Sequence, residues 1–425
     1  MRKNKPIQVF EYKTLTINSN GFKENHWKAL GWYNEKHGGN FFTLTPNGVR
    51  FNQYVGVIQV GDLTIEVLPK IGQATDEKDK AKWQKVLIDM LRECRWMNVY
   101  THEKANLNFK PNSILEVYLE LFINECEKIL RIGLIKKYRF EEGNCKALKG
   151  KLLFNKQIQK NLIHQENFYT KHQEYDRENE FNQILFKALK LIPSISSSPF
   201  LKDKISSLIL SFPDLKDIQI NEELFARLNY NRKNNHYREA IEIAAMLLLN
   251  FRPDISSGTN HVLAILFDMN SLWEEFVYRQ LFKGKHKDWN LKVQNSKPFW
   301  RLSNSVRNKS IRPDIVIEHK ISKCTAIIDT KWKLPDNNIP SDDDLKQMFV
   351  YNEYWNGKNA ILLYPKSEYQ EEPIYIKGNF TNKPGDIKAH ECGLMKMSVL
   401  DNTNSKLDTK MGVRLNKYLV ENIIK

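Results

Sequence analysis

Cysteine is scarce in this chain: Cys94, Cys126, Cys145, Cys324 and Cys392 are the only five in 425 residues. None forms a C-x-x-C pair and the number is odd, which argues against a disulfide framework or a cysteine zinc site. An iron–sulfur cluster needs four grouped cysteines, and these are scattered. Long apolar runs are missing too. Nothing approaches the roughly 18–20 residues of a membrane span. The opening "MRKNKPIQVFEYKTLTIN" is basic but has no continuous apolar core, so it does not read as a signal peptide. A cytoplasmic protein without membrane contact is the expectation. There is no G-x-x-x-x-G-K-[ST] loop and no H-E-x-x-H helix. "AHEC" (Ala389–Cys392) crowds His390, Glu391 and Cys392, but three adjacent residues cannot converge on one metal. His236, His261 and His319 stand without matching partners. Internal repeats and low-complexity tracts are absent.

Positive charge is abundant. Net charge is +15 and the pI about 9.3. Its distribution is more telling than its size. Phe276 to Lys333 holds 14 Lys/Arg against 4 Asp/Glu, an excess of +10 in 58 residues. Trp289, Phe299, Trp300 and Trp332 are interleaved there. A basic surface with stacking groups suits a phosphate backbone, although a lysine-rich solvated face would look similar.

The chain is long enough for two or three domains. Its first part is β-rich, with "FFTLTPNGVRF" and "YVGVIQVGDLTIEVLPKI" broken by hairpin signals at Asn47-Gly48 and Gly61-Asp62. Glu77 to Met97 then has helical period, with Trp83, Val86, Leu87, Met90 and Leu91 on one side. A boundary is placed near residue 105. Helices follow: "SILEVYLELFINECEKILRIG" capped by Gly133, then roughly Arg177–Ile192, Phe200–Ser211 and Tyr237–Asn250, with a short strand-like interlude around "KKYRFEEG" and "KGKLLF". The last segment reads helix ("SLWEEFVYRQLF"), strand pair (Ile311 to Lys333), helix ("SDDDLKQMFVYNEYW", N-cap Ser341), strand ("AILLYP"). The expected fold is therefore multidomain α+β: a β-rich domain at 1–105, a mainly helical region at 106–258 and an α/β domain with a mixed central sheet at 259–425.

The strand pair carries the chemistry. Side chains alternate along a strand, so Asp329 and Lys331 share a face while Thr330 points away. The preceding "TAII" is apolar enough to be buried, and charges there are costly unless compensated. If the first strand lies alongside, Asp314 reaches the same spot. Two carboxylates plus a backbone carbonyl suit Mg²⁺, with Mn²⁺ as an alternative. Such an ion polarises a phosphodiester and lowers the pKa of bound water, while the ammonium stabilises developing charge. Taken bare, Asp-x-Lys is a loose pattern. Glu274, on the helix entering the segment, is a candidate extra ligand, or simply an exposed helix residue. Gln347 and Tyr351, at i and i+4, share a helix face that could line the site and touch DNA, or be an ordinary polar face. Arg312 and Lys333, at the two ends of the strand pair, are the remaining candidate DNA contacts.

Pro313-Asp314 with Asp329-x-Lys331 resembles the PD-(D/E)xK nuclease fold. The wider chain is similar to McrC, the nuclease subunit of McrBC modification-dependent restriction systems, through "IEVLPKIG", "ALKGKLLF", "EYDRENEFNQILFKAL", "FDMNSLWEEFV", "DLKQMFVYNEYW" and "AILLYP". The resemblance implies a Mg²⁺-dependent endodeoxyribonuclease with Asp314, Asp329, Lys331 and Glu274 in the catalytic set, Asp314, Asp329 and Glu274 on the metal, and Gln347 matching a family glutamine. It also implies a hexameric McrB-like AAA+ GTPase ring as partner, whose GTP hydrolysis an arm of this chain stimulates, and double-stranded, modified DNA as substrate. Trp273 replaces a usual Phe, and the chain reads as long for the family. A non-catalytic activator of a motor ring and a free-standing repair- or resolvase-type nuclease are the alternatives.

Overall fold

The structure, a computed structural model, describes residues 6–37, 40–72, 77–94, 96, 113–196, 198–252, 261–303, 308–383 and 386–423. The domain boundaries expected near 105 and 258 lie outside the described residues. The fold is mixed α+β, with eleven α-helices and several separate sheets among the described residues. No described helix is long and apolar enough to cross a membrane.

The chain divides into two compact units, one built mainly from Ala105–Ile265 and the other from Pro6–Ile58, Ile65–Lys104 and Leu266–Lys425. Three consecutive domains are expected from sequence; instead the N-terminal β-rich segment shares a unit with the C-terminal one. The contacts explain this. Strand Ile7–Phe10 pairs in parallel with 65–68. The chain then reaches Glu11, whose side chain accepts a hydrogen bond from Trp332 Nε1, 2.8 Å away and 321 positions on. Helix Glu77–Glu93 buries Trp83, Val86, Leu87, Met90 and Leu91 as its period predicts. Its C-terminal end meets helix Met269–Lys283, where Lys283 pairs with Glu93 and Cys94 Sγ lies 3.7 Å from the Leu272 carbonyl. The hairpin predicted at Asn47-Gly48 is present: Thr45 pairs with Gly48, so Pro46 and Asn47 form the turn. A Cβ on Gly48 would sit 2.2 Å from the Leu15 carbonyl oxygen, so no side chain fits there.

The unit around Ala105–Ile265 is a helical cluster with a sheet attached. Helix Ile114–Ile132 starts at Ser113, whose hydroxyl accepts from Leu115 N, and ends at Gly133 with φ 103°. Helices Glu180–Ile195, Pro199–Ser211 and Arg238–Asn250 pack with it. The strand interlude is larger than the sequence suggests. Lys137–Cys145 and Phe168–Asp176 pair antiparallel along their whole length. Neither strand has a continuously apolar face, which is why period alone misses their extent. Tyr138, Phe140 and Tyr175 are 70%, 65% and 54% exposed. Arg139 ties the strands by contacts of 2.8 Å to Asp176 and 3.3 Å to Glu174.

In the other unit, strands Trp289–Val293, Ile315–His319, Thr325–Thr330, Asn359–Lys366, Asp386–Ser398 and Ile374–Ile376 lie side by side in that order. The first three pair antiparallel, and Thr325–Thr330 is parallel to Asn359–Lys366. Helix Asp342–Trp355 makes the crossover a parallel pair requires. Ala326, Ile327, Ile328 and Ala360 to Tyr364 are buried, and Met348, Tyr351 and Trp355 cover them from the helix. One expectation changes. The first strand of the predicted pair does not run from Ile311. Pro313 has no N–H for a ladder, and Asn308–Ile311 pairs instead with Lys297–Arg301 in a separate two-stranded ribbon.

Candidate active site

Thr325–Thr330 is central in the mixed sheet and apolar until its last turns outward, so it delivers Asp329 and Lys331 to one edge of a buried layer. Ile315 pairs with Ile328, which places Asp314, one residue before, level with Asp329. Thr330 holds Asp314 in place: its backbone N–H and its hydroxyl donate to Asp314 Oδ2 at 2.7 and 2.9 Å. Asp329 is 2% exposed. Its Oδ2 lies 2.7 Å from Lys331 Nζ, an ion pair by distance whose angle is poor for a hydrogen bond. Lys331 Nζ also donates to Gln347 Oε1 at 3.1 Å and lies 3.3 Å from Asp344 Oδ1. The ammonium thus has three oxygens within 3.3 Å, one held by a hydrogen bond and two by charge.

Burial, and then the neighbouring Asp314, push the Asp329 carboxyl up to about 7 despite Lys331. Asp314 is also raised, chiefly by burial, against the two Thr330 bonds. Glu274 is raised by burial and by Asp314. All three carboxylates thus hold protons more tightly than in water, the behaviour of a site short of positive charge. Lys331 is raised: burial works the other way and is outweighed by Asp329 and Asp344.

The other predicted residues are distributed as follows. Glu274 Oε1 accepts from Gln294 Nε2 at 3.0 Å. Among the described residues no group of three His, Cys, Asp or Glu could hold a metal as placed, so Asp314, Asp329 and Glu274 are not gathered into the three-carboxylate set expected from sequence. Gln347 joins the site directly. Tyr351 does not face outward: it is 4% exposed, and its hydroxyl accepts from Gln347 Nε2 at 2.7 Å and donates to the Arg312 carbonyl at 2.9 Å. The helix turn that carries Gln347 on the site side carries Tyr351 inward, where it holds Gln347 and the Arg312 backbone. Arg312 is exposed. Lys333 is 2.5 Å from Asp344 Oδ2. Asp344 itself is a site residue that sequence reading passes over. In "SDDDL" it reads as helix N-terminal acid, and Ser341 does accept from its N–H at 3.3 Å. It is 6% exposed and holds both lysines, which no single-residue signal announces. His390 is bound to Glu353 at 2.8 Å, away from any metal role.

Fold and site together define a multidomain α+β protein whose mixed sheet presents paired aspartates and a lysine at one edge. The chain belongs to the family described as McrBC 5-methylcytosine restriction system component, whose profile matches residues 49–365. Among solved structures it is similar to a chain of "Refined half-complex from tetradecameric assembly of Thermococcus gammatolerans McrB AAA+ hexamers with bound McrC", with TM-score 0.71 and 19% identity over 99% of this chain and 100% of that one. The two chains are therefore of nearly the same length. A chain of "Cryo-EM structure of the Thermococcus gammatolerans McrBC complex" matches with TM-score 0.49 and 22% identity over 66% of this chain and 88% of that one. No curated protein matches.

Proposed function

We propose that this chain is the McrC-type DNA endonuclease subunit of a McrBC-like restriction complex, with a PD-(D/E)xK site that hydrolyses phosphodiester bonds and an AAA+ McrB-type GTPase ring as partner. The observation that carries it is the level placement of Asp314 and Asp329 with Lys331 between carboxylates, in a chain of this family. The substrate is double-stranded, modified DNA.

Mg²⁺, or Mn²⁺ in its place, would be held by Asp314 and Asp329, where it supplies charge to polarise the phosphodiester and acidify bound water. The donor set fits: two carboxylates, hard oxygens both, are enough for an ion that keeps several waters. Thr330 fixes Asp314 through two bonds, so that carboxylate is oriented before any ion arrives. Lys331 stands ready to exchange one of its three oxygen neighbours for a phosphate oxygen. Gln347 limits where that ammonium can go, and Tyr351 limits Gln347. Arg312 and Lys333 are cationic neighbours for the DNA backbone.

The exposed Tyr138, Phe140 and Tyr175 on the paired strands of the other unit favour an additional role as an arm that engages the ring and stimulates its GTPase. The test is reconstitution with the ring, GTP and 5-methylcytosine duplex. Asp329→Ala is expected to abolish cleavage while stimulated GTP hydrolysis survives. Cleavage that persists in this variant removes the site assignment. Cleavage by the isolated chain would favour a free-standing nuclease, and absence of metal-dependent cleavage with intact GTPase stimulation would leave only the adaptor role.

A further inference from the structure

The ribbon formed by Lys297–Arg301 and Asn308–Ile311 belongs to no larger sheet. Both of its roots are fixed at the candidate site. On one side, strand Trp289–Val293 ends at Gln294, which has φ 46°. Gln294 N donates to the Asp314 carbonyl at 3.0 Å and its side chain donates to Glu274 at 3.0 Å. On the other side, Ile311 leads through Arg312 and Pro313 straight into Asp314. The base is also pinned to the helix behind it. Lys297 Nζ donates to the Tyr354 carbonyl at 2.7 Å and sits 4.8 Å from the Trp355 ring.

The far part of the ribbon is different. Phe299, Trp300 and Leu302 are 47%, 55% and 52% exposed. The pairing register slips between Pro298 and Trp300, so Phe299 is the extra residue of a bulge. A bulge breaks strict two-face alternation and re-aims side chains. It lets adjacent Phe299 and Trp300 both reach the surface. Trp300 and Leu302, with Phe299 whose ring lies 5.6 Å from that of Tyr354, leave large half-exposed apolar groups along one ribbon, and these need a partner. The chemistry around them says which. From Trp289 through Pro313 there is no Asp or Glu, whereas Lys292, Lys297, Arg301, Arg307, Lys309 and Arg312 fall in that span. Arg301, Lys309 and Arg312 are exposed. Aromatic groups framed by cations, with no carboxylate, complement nucleic acid and not an acidic-plus-apolar protein surface. A two-stranded ribbon also has the width that a DNA groove admits.

We infer that this ribbon is a DNA-engaging wedge: it enters a groove of the duplex beside the scissile phosphate, its cations on the backbone and Trp300 stacked on a base. This rests on the endonuclease reading, and it adds an element that holds the duplex at the aspartates. Because both roots join the site, a duplex gripped by the tip is positioned relative to Asp314 by a short, paired connection.

The test uses the full complex with its ring and GTP, in an Asp329→Ala background so that DNA stays intact. A fluorescein-labelled 5-methylcytosine duplex reports affinity by anisotropy, and 2-aminopurine placed at successive steps reports unstacking. Phe299→Ala/Trp300→Ala is expected to weaken duplex binding by about five- to a hundredfold, the range of one lost stacking contact, and to abolish a 2-aminopurine signal given by the intact ribbon. Lys309→Glu is expected to weaken binding too, with a shallower salt dependence. Unchanged affinity and unchanged 2-aminopurine fluorescence in the double variant would overturn the inference, as would a loss of ring association without loss of DNA affinity. Failure of the endonuclease reading is seen separately, as continued cleavage by Asp329→Ala with its ribbon intact.

Discussion

Asp344 Oδ1 lies 3.3 Å from Lys331 Nζ while its Oδ2 holds Lys333 at 2.5 Å. One buried carboxylate from the crossover helix therefore holds both lysines that follow the strand, and shares Lys331 with Asp329. Removing it leaves Lys331 with Asp329 and Gln347 only. Asp344→Ala is expected to cost about 1–3 kcal/mol of stability, the usual range for orphaned buried partners, and to lower the cleavage rate with little change in duplex affinity. Urea unfolding and single-turnover cleavage measure the two; partial rescue by Asp344→Glu separates orientation of Lys331 from simple loss of fold.

Asp329 gives a pH signature. Its carboxyl is raised to about 7 by burial and Asp314, above an unfolded value near that of a free aspartate. The folded state therefore binds the proton more tightly, and stability present at low pH is lost as pH rises from about 4 through 7. In EDTA, the melting temperature is expected to fall across that window, and Asp329→Asn to flatten the fall.

The same proton competes with a cation. Cleavage is expected to rise with pH as Asp329 ionises, and the midpoint to move to lower pH as Mg²⁺ is increased. Rates measured across pH at two Mg²⁺ concentrations test this; a midpoint indifferent to Mg²⁺ would mean Asp329 does not ligate.

Tyr351→Phe removes only a hydroxyl that accepts from Gln347 and donates to the Arg312 carbonyl. About 0.5–1.5 kcal/mol of stability should go with it. Its cleavage rate should fall less than that of Gln347→Ala, and its duplex affinity should not change, because the ring is buried.

Glu11 is fully buried, and burial pushes its carboxyl up to about 8. It is held protonated at neutral pH, so Glu11→Gln, which keeps an acceptor for Trp332 Nε1 and Lys70 N, is expected to be nearly neutral in urea titrations at pH 7. Glu11→Ala strands both donors and is expected to cost about 1–3 kcal/mol per donor.

The candidate site was largely legible before the fold because strand alternation is local. Asp329 and Lys331 share a face by arithmetic alone, and apolar "TAII" announces burial. Gln347 followed from helical spacing, but the same spacing misled for Tyr351, since i and i+4 share a side without saying whether that side is inner or outer. Asp344 hid inside a run of three acids that an N-terminus explains without any site. The strand before Asp314 was drawn too long because Ile311 is apolar; only Pro313 hinted at the break. The division into units was the least legible. It depends on pairings such as Ile7 with Ile65 and Glu11 with Trp332, which carry no mark in the neighbouring sequence.

That last contact bears on the order in which this unit can fold. Synthesis makes Trp332, next to Lys331, 321 residues after Glu11. The unit holding the aspartates draws on segments far apart along the chain, so a ribosome must pass Trp332 before this unit can close. A fragment released before Trp332 lacks the indole that donates to Glu11, so that buried carboxyl is left without one of its two donors.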